Sequence, residues 1–376
     1  MKSKKKIFII TGSRADYGLL KPLIIKLKKE KNFTIKLVVT GSHLEKKFGL
    51  TFKDIEKDKI KINYKLNINA KGSSKIDVSN SFNRLINKAS LLLKKKKPDC
   101  VIVLGDRYEI FAFALASFLL KIKIFHFAGG EKTPNNYDDI YRNLITKISS
   151  FHFVTNSIYK KNLLKMDINK DTIYDFGSLG VENLLSVKKI NIKKIFDSYK
   201  IKYSKYYFLI TYHPTTILSE KHNKKELMNL LEVLKKFHEY TMIFTYPGSD
   251  VFNDIIIKEI KYFCHTQKKA YFIKSLGSQR YINLAKNSSL IIGNSSSGLS
   301  EVPSLKKISI NVGLRQKGRI FGNSVLNTTS SVKNIFSVIN NGLKLSHNKF
   351  FCSQIVNPYG RGKVTNKVID VLKKSI

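Results

Sequence analysis

Cysteine is nearly absent from this 376-residue chain: Cys100, Cys264 and Cys352 are far apart, odd in number and outside any metal-ligand spacing. A disulfide framework and a thiolate zinc site are thereby excluded, and a thiol-state, cytoplasmic protein is expected. Breakers are also sparse, with 7 Pro and 20 Gly. A chain that is 43% hydrophobic, with 24 Phe and 18 Tyr, is too apolar to stay disordered. Long apolar runs are missing: residues 110–120 and 289–293 fall short of the roughly 20 residues a bilayer span needs. A soluble protein with no membrane partner is the expectation.

Arginine is the scarcest charged type. There are 60 Lys but only 8 Arg, against 27 carboxylates, for a formal net charge of +41. Proteins that grip nucleic acid rely on the bidentate Arg fork. Here the excess is Lys, spread in runs such as 4–6 and 94–97 with no Arg/aromatic block. It reads as solvated surface that also steers anions inward. A nucleic-acid partner, which would bind with steep salt dependence, is not expected. The basic residues before Ile7-Phe8-Ile9-Ile10 resemble a signal peptide, but the apolar run is short and leads straight into Thr11-Gly12-Ser13-Arg14, so it reads as a first buried strand.

The length exceeds what one core organises, which predicts two domains of roughly 150 to 200 residues. Short β-branched runs alternate with amphipathic Lys-rich stretches, the pattern of parallel sheets covered by helices. Strands are expected at 7–10, 33–39, 100–104, 123–127, 151–155 and 172–176, then at 207–211, 241–245, 270–273, 290–292 and 308–311. The class is α/β, with two doubly wound domains at 1–190 and 200–376 and a break near 186–204. The last helix is a candidate to pack back on the first domain. No repeat of 20 to 50 residues is visible.

Open parallel sheets bind ligands beyond the carboxyl ends of their strands. In the first half those positions carry Gly12-Ser13-Arg14-Ala15-Asp16-Tyr17-Gly18, Gly105-Asp106-Arg107-Tyr108-Glu109 and Ala128-Gly129-Gly130-Glu131. In the second they carry His213-Pro214-Thr215-Thr216, Pro247-Gly248-Ser249-Asp250, Gly293-Asn294-Ser295-Ser296-Ser297-Gly298 and a segment from Gly313 to Arg319. Five of the 8 Arg, namely Arg14, Arg107, Arg142, Arg315 and Arg319, lie in or just after such segments. Where nearly every other cation is Lys, these positions point to a fixed fork for a ligand, or to local pairing and capping.

Gly293 to Gly298 followed by Glu301 offers backbone N–H groups and hydroxyls to phosphate oxygens, with Glu301 placed for a ribose diol. The alternative is an ordinary Ser N-cap. Neither a Walker lysine motif nor a G-x-G-x-x-G fingerprint is present. Asp106, Glu109, Glu131, Asp138 and Asp139 crowd into one stretch, as acid/base chemistry on a sugar requires. Asp106 is open between that role and a helix cap paired with Arg107. His43, His126 and His213 follow strands and are candidates, whereas His152 reads as core. No His stands at zinc-like spacing with Cys or carboxylate, so no metal and no cofactor are expected.

In these segments the chain resembles the hydrolysing UDP-N-acetylglucosamine 2-epimerases of sialic-acid-type pathways. The resemblance also rests on Thr40-Gly41-Ser42-His43-Leu44, on Tyr137-Asp138-Asp139 leading to Arg142 and Ile145-Thr146-Lys147, and on Asn311-Val312-Gly313-Leu314-Arg315-Gln316-Lys317-Gly318-Arg319. It implies a GT-B-like architecture with the active site between two Rossmann-like domains, and a homodimer or homotetramer. The implied reaction removes the C2 proton and UDP to give 2-acetamidoglucal, and then adds water to give N-acetylmannosamine. Asp106 and Asp138 would be catalytic, with His213 near the diphosphate or the sugar. Ser295, Ser296 and Glu301 would hold the nucleotide; Arg14, Arg315, His43, Arg107 and Arg142 complete the candidate contacts. Where relatives place a Glu ahead of the Gly pair, this chain has Ala128. Glu131 or His126 then takes that proton-transfer role, or the substrate is a diacetamido-trideoxy sugar of the legionaminic-acid type. Arg142-Asn143 replaces an Arg-His pair. A GT-B glycosyltransferase is the alternative activity, and would need an acceptor.

Overall fold

A computed structural model describes residues 4–69, 75–132, 137–215, 218–247 and 252–376. Thr216 and the Gly248-Ser249-Asp250 triplet lie outside the described residues. The chain divides into two compact units, Met1–Asn183 with Gly360–Ile376, and Leu184–Tyr359.

The first unit holds seven strands: β1 (Lys5–Thr11), β2 (Phe33–Thr40), β3 (Tyr64–Leu66), β4 (Cys100–Leu104), β5 (Lys123–Phe127), β6 (Phe151–Val154) and β7 (Ile173–Asp175). They form one parallel sheet in the order β3-β2-β1-β4-β5-β6-β7. Both faces are covered, so β1 is apolar at every central position rather than alternating. Ile7 and Ile9 pack with Leu20, Leu23 and Ile24 of the helix Arg14–Leu27 and with Val368 and Leu372 of the helix Val364–Ser375. Phe8 and Ile10 pack the other way, on Ile110 and Phe113 of the helix Tyr108–Leu119. Each such side chain taken from water is worth about 1.5–3 kcal/mol.

The helix Val364–Ser375 starts at Lys363, which is left-handed and offers no side-chain cap. Glu182 supplies the missing acceptor: its carboxylate takes the Thr365 N–H at 2.8 Å, the Thr365 hydroxyl at 2.5 Å and Lys26 Nζ at 3.0 Å. Burial works against its charge, yet these donors hold the carboxyl below its ordinary value.

The second unit holds β8 (Tyr207–Thr211), β9 (Thr241–Thr245), β10 (Ala270–Ile273), β11 (Leu290–Gly293), β12 (Ser309–Val312) and β13 (Val325–Thr328). They are again all parallel, in the order β10-β9-β8-β11-β12-β13. Phe208 and Ile210 enter one core layer, Tyr207 and Leu209 the other. Both units are thus Rossmann-like and doubly wound, the expected class, and the strand order reverses between β1 and β4 and between β8 and β11. Those two switch points are where the fold opens a crevice for a ligand. The edge strands β3 and β13 were not anticipated: each is short and has a neighbour on one side only. Among the described residues no helix is long and apolar enough to cross a membrane.

Candidate active site

At the first switch point two Thr-Gly-Ser turns stand side by side after β1 and β2. Ser42 Oγ donates to the Gly12 carbonyl at 3.0 Å, which ties them together. Ser13 caps the helix Arg14–Leu27 by accepting the Asp16 N–H at 3.3 Å, and Arg14 stands exposed at that helix start. His43 is fully buried. Its Nε2 meets Thr11 Oγ1 at 2.9 Å and its Nδ1 meets Thr51 Oγ1 at 2.8 Å. Burial, followed by the field of Arg107, leaves its pKa at about 4, so it is a neutral brace with both nitrogens engaged.

Asp106 follows β4, half-buried, and pairs with Arg142 Nη2. It neither caps the helix Tyr108–Leu119, whose start has no side-chain cap, nor pairs with Arg107. Arg142 is 1% exposed and gathers three parts of the chain: Asp106, the Glu131 carbonyl at 2.7 Å and Asp139 at 2.8 Å. Its acceptors are therefore protein groups, and it serves as the hub of the carboxylate cluster. Of the two neighbouring acids, Asp139 takes Arg142, whereas Asp138 lies in the field of Arg107 and Tyr141. Glu131 is 8% exposed, and its Oε1 is 3.5 Å from Thr155 Oγ1.

His126 donates from Nε2 to the Gly105 carbonyl at 2.9 Å, with Thr146 Oγ1 3.3 Å from its Nδ1. It is fully buried, which brings its pKa to about 4. A neutral ring held this way anchors the Gly105-Asp106 turn. Ala128 itself adopts a left-handed conformation, φ 66°, which costs a non-Gly residue about 1–2 kcal/mol.

Arg107 is arranged differently. Its Nε donates to Glu109 Oε1 at 2.6 Å, and its side chain is 32% exposed. No described residue accepts from its two terminal nitrogens, so the fork is available to a ligand. Asp16, missed as an individual residue in the sequence, lies in the same cluster. Burial pushes its carboxyl up to about 6 despite Arg107, and its Oδ2 accepts the Gly12 N–H at 3.2 Å.

The second switch point is built around a residue that sequence reasoning passed over, Asn294. It is 1% exposed. Its side chain accepts the His213 N–H at 2.7 Å and donates to the His213 carbonyl at 2.8 Å. Its own carbonyl accepts from Arg315 Nη1 at 3.2 Å and Gln316 Nε2 at 2.8 Å. One residue, through its side-chain amide and its carbonyl, thus joins three separate motifs. Gly293 before it has φ 139°, and a Cβ there would fall 1.9 Å from the Thr211 carbonyl, so only Gly lets β11 turn this close to β8. His213 is half-buried, its pKa driven well below the ordinary value by burial and then by Arg315.

Ser295 caps the short helix Ser296–Ser300 through Ser297 N, as an ordinary N-cap does. Ser295 Oγ also lies 3.1 Å from Ser297 Oγ, which meets Tyr281 OH at 2.9 Å. Burial pushes the Glu301 carboxyl up to about 7. Tyr281, also missed in the sequence, carries a phenol pushed up to about 12 by burial, with Glu301 adding to it. This is a set of hydroxyls with one titratable carboxyl, fit for a diol. Among the described residues no group of three His, Cys, Asp or Glu is placed to hold a metal ion.

Known proteins resemble this chain along most of its length. The chain is 37% identical over 328 residues to the GDP/UDP-N,N'-diacetylbacillosamine 2-epimerase (hydrolyzing) of Campylobacter jejuni, covering 87% of this chain and 85% of that protein. It is 36% identical over 380 residues to polysialic acid biosynthesis protein P7 of Escherichia coli, covering 99% and 94%. The crystal structure of Methanocaldococcus jannaschii UDP-GlcNAc 2-epimerase in complex with UDP-GlcNAc and UDP superposes with a TM-score of 0.79 at 25% identity, covering 98% of this chain and all of that one. A family model described as UDP-N-acetylglucosamine 2-epimerase matches residues 25–373. With charged and neutral clusters at its two switch points and these relatives along its length, the chain belongs to the UDP-N-acetylglucosamine 2-epimerase family.

Proposed function

We propose that this enzyme of the hydrolysing nucleotide-sugar 2-epimerase family acts on a UDP- or GDP-linked diacetamido-trideoxyhexose. The observation that carries the substrate class is the 37% identity to the diacetylbacillosamine 2-epimerase. Ala128 in place of the Glu of other relatives fits a sugar handled differently. Asp106, with Arg142 as fixed counter-charge, Glu131 and Asp138 take the C2 proton as the nucleoside diphosphate leaves C1, and then return a solvent-exchanged proton to C2 while water adds its hydroxyl at C1. Arg107 and Arg14 meet the anionic part of the substrate in the first unit. Arg315 and the neutral His213 meet the diphosphate in the second, where Ser295, Ser296 and Glu301 hold the ribose and phosphates. His43 and His126 brace the turns from behind. UDP-N-acetylglucosamine is the second reading, favoured by the Methanocaldococcus structure, whose name states that sugar.

Proton NMR in deuterated water tests the reading with each sugar in turn. Release of nucleotide together with a 2-deuterated free sugar is the expected result, and kcat/KM should be higher for the diacetamido substrate. A higher value for UDP-N-acetylglucosamine would establish the second reading. Turnover only in the presence of a glycosyl acceptor would replace both with a glycosyltransferase.

A further inference from the structure

Glu109 is the most buried carboxylate at the first switch point, with its side chain 1% exposed, and the proton chemistry above does not use it. It belongs to the first turn of the helix Tyr108–Leu119, yet its carboxylate reaches across the ends of β1 and β2. A methyl group at residue 12 would lie 2.8 Å from Glu109 Cγ, and one at residue 41 would lie 2.9 Å from Glu109 Oε1. At residue 12 the carboxylate is what fills the space a side chain would need, and at residue 41 it adds to the Gly12 carbonyl, 2.8 Å away, and to a left-handed backbone, φ 59°. Its Oε1 takes Arg107 Nε at 2.6 Å, while Oε2 is buried and meets no hydrogen-bond donor among the described residues. A buried acid that leaves one oxygen unpaired is costly. Its one visible return is the direction in which it fixes the guanidinium, whose terminal nitrogens meet no acceptor among the described residues.

Resting on the reading of Arg107 as a substrate contact, we propose that Glu109 is the positioning residue of Arg107. Seated in the notch left by Gly12 and Gly41, it holds the guanidinium by its Nε edge so that the terminal fork faces the anionic nucleotide sugar. The fields of Asp16, beside the end of β1, and of Asp138, on the helix Tyr137–Ile148, also favour the charged guanidinium without bonding to it. The arrangement explains why this position is Arg in a Lys-rich chain: a lysine has no second edge by which to be held.

Two measurements test the proposal, and the first does not need substrate. With only 8 Arg in the chain, nitrogen-15 NMR of the Arg Nε–H groups is sparse enough to assign the Arg107 signal as the one lost in Arg107→Lys. Glu109→Gln should move that signal and speed its exchange with water; an unmoved signal overturns the proposal, whatever the enzyme acts on. The second is a double-mutant cycle on KM and kcat. Glu109→Gln and Arg107→Lys should each raise KM for the nucleotide sugar roughly tenfold or more, with Glu109→Asp recovering part of the loss. Glu109→Gln should then add little in the Arg107→Lys background. Additive losses, or a fall in thermal stability with KM unchanged, would make Glu109 a packing residue. Inactive wild-type protein with a moved Arg107 signal would instead reject the substrate reading and leave the positioning intact.

Discussion

The two sheets share one winding order, and their switch points have opposite chemistry. At β1/β4 charge is set against charge: Arg142 binds Asp106 and Asp139, and Arg107 binds Glu109 beside Asp16. At β8/β11 the principal link is a neutral amide, Asn294, clamping the His213 backbone and receiving Arg315 and Gln316. Topology decides where a crevice opens, and side chains decide what is done there. Proton transfer needs ionisable groups held in fixed states, whereas at the second switch point the linking residue carries no charge and the titratable carboxyl beside it is Glu301.

The largest effect should come from the charged side. Asp106→Asn keeps the shape and removes the charge, so turnover should fall by roughly a hundred- to ten-thousandfold while UDP affinity by calorimetry stays within a few-fold. Near-normal turnover would remove Asp106 from the chemistry. Next is Arg142→Met, which strands two carboxylates. Chemical denaturation should show a loss of roughly 2–4 kcal/mol, below the full cost of a buried unpaired ion, because Asp106 and Asp139 remain 24% exposed. A third variant, Asn294→Ala, breaks the neutral clamp. It should cost about 1–3 kcal/mol of stability and weaken UDP binding with little change in the rate of the bound complex; a rate defect at saturating substrate would erase the contrast between the two sites.

The most diagnostic effect is in acid. In the first unit His43 and His126 have pKa values of about 4 and His152 of about 3, all set by burial and all below the unfolded 6.5. The unfolded chain therefore binds three protons below pH 6.5 that the folded unit refuses, so stability falls as pH drops from 6.5 toward 4. Asp16, raised to about 6, binds its proton earlier when folded and offsets about one of the three, and Asp175, also raised by burial, acts in the same direction. Each net proton is worth about 1.4 kcal/mol per pH unit. In the second unit the depressed His213 is opposed by Glu301, raised to about 7, and the two nearly cancel. Hydrogen exchange at pH 7 and pH 5, corrected for intrinsic rates, should show the first unit opening more readily while the second hardly changes. Equal loosening of both would refute the assignment of these neutral imidazoles.

Much of this was legible in the sequence. Most of the eleven expected strands announce themselves as apolar runs because a sheet covered on both faces buries its central strands. The edge strands Tyr64–Leu66 and Val325–Thr328 do not, since their side chains are largely half-exposed. The motif segments also mark the strand ends correctly. Partnership was harder to read: Asp106 and Arg142 are 36 residues apart, and nothing local says that Arg142 turns inward while Arg107 stays open. Asn294 is silent for another reason, being an uncharged residue in a run of small ones whose value lies in its bonds to the distant His213 backbone and the distant Arg315 and Gln316 side chains.

The helix Val364–Ser375 has a consequence for the birth of the protein. Its residues Val368 and Leu372 belong to the core layer that also holds Leu20, Leu23 and Ile24 near the other end of the chain. A ribosome adding roughly 5–20 residues per second must therefore finish all of Leu184–Tyr359 before the first sheet receives its last cover. During that interval the nascent first unit carries an open apolar strip and a Glu182 carboxylate without its helix. The second unit, continuous in sequence, can close as soon as it emerges, so the part begun first is the part completed last.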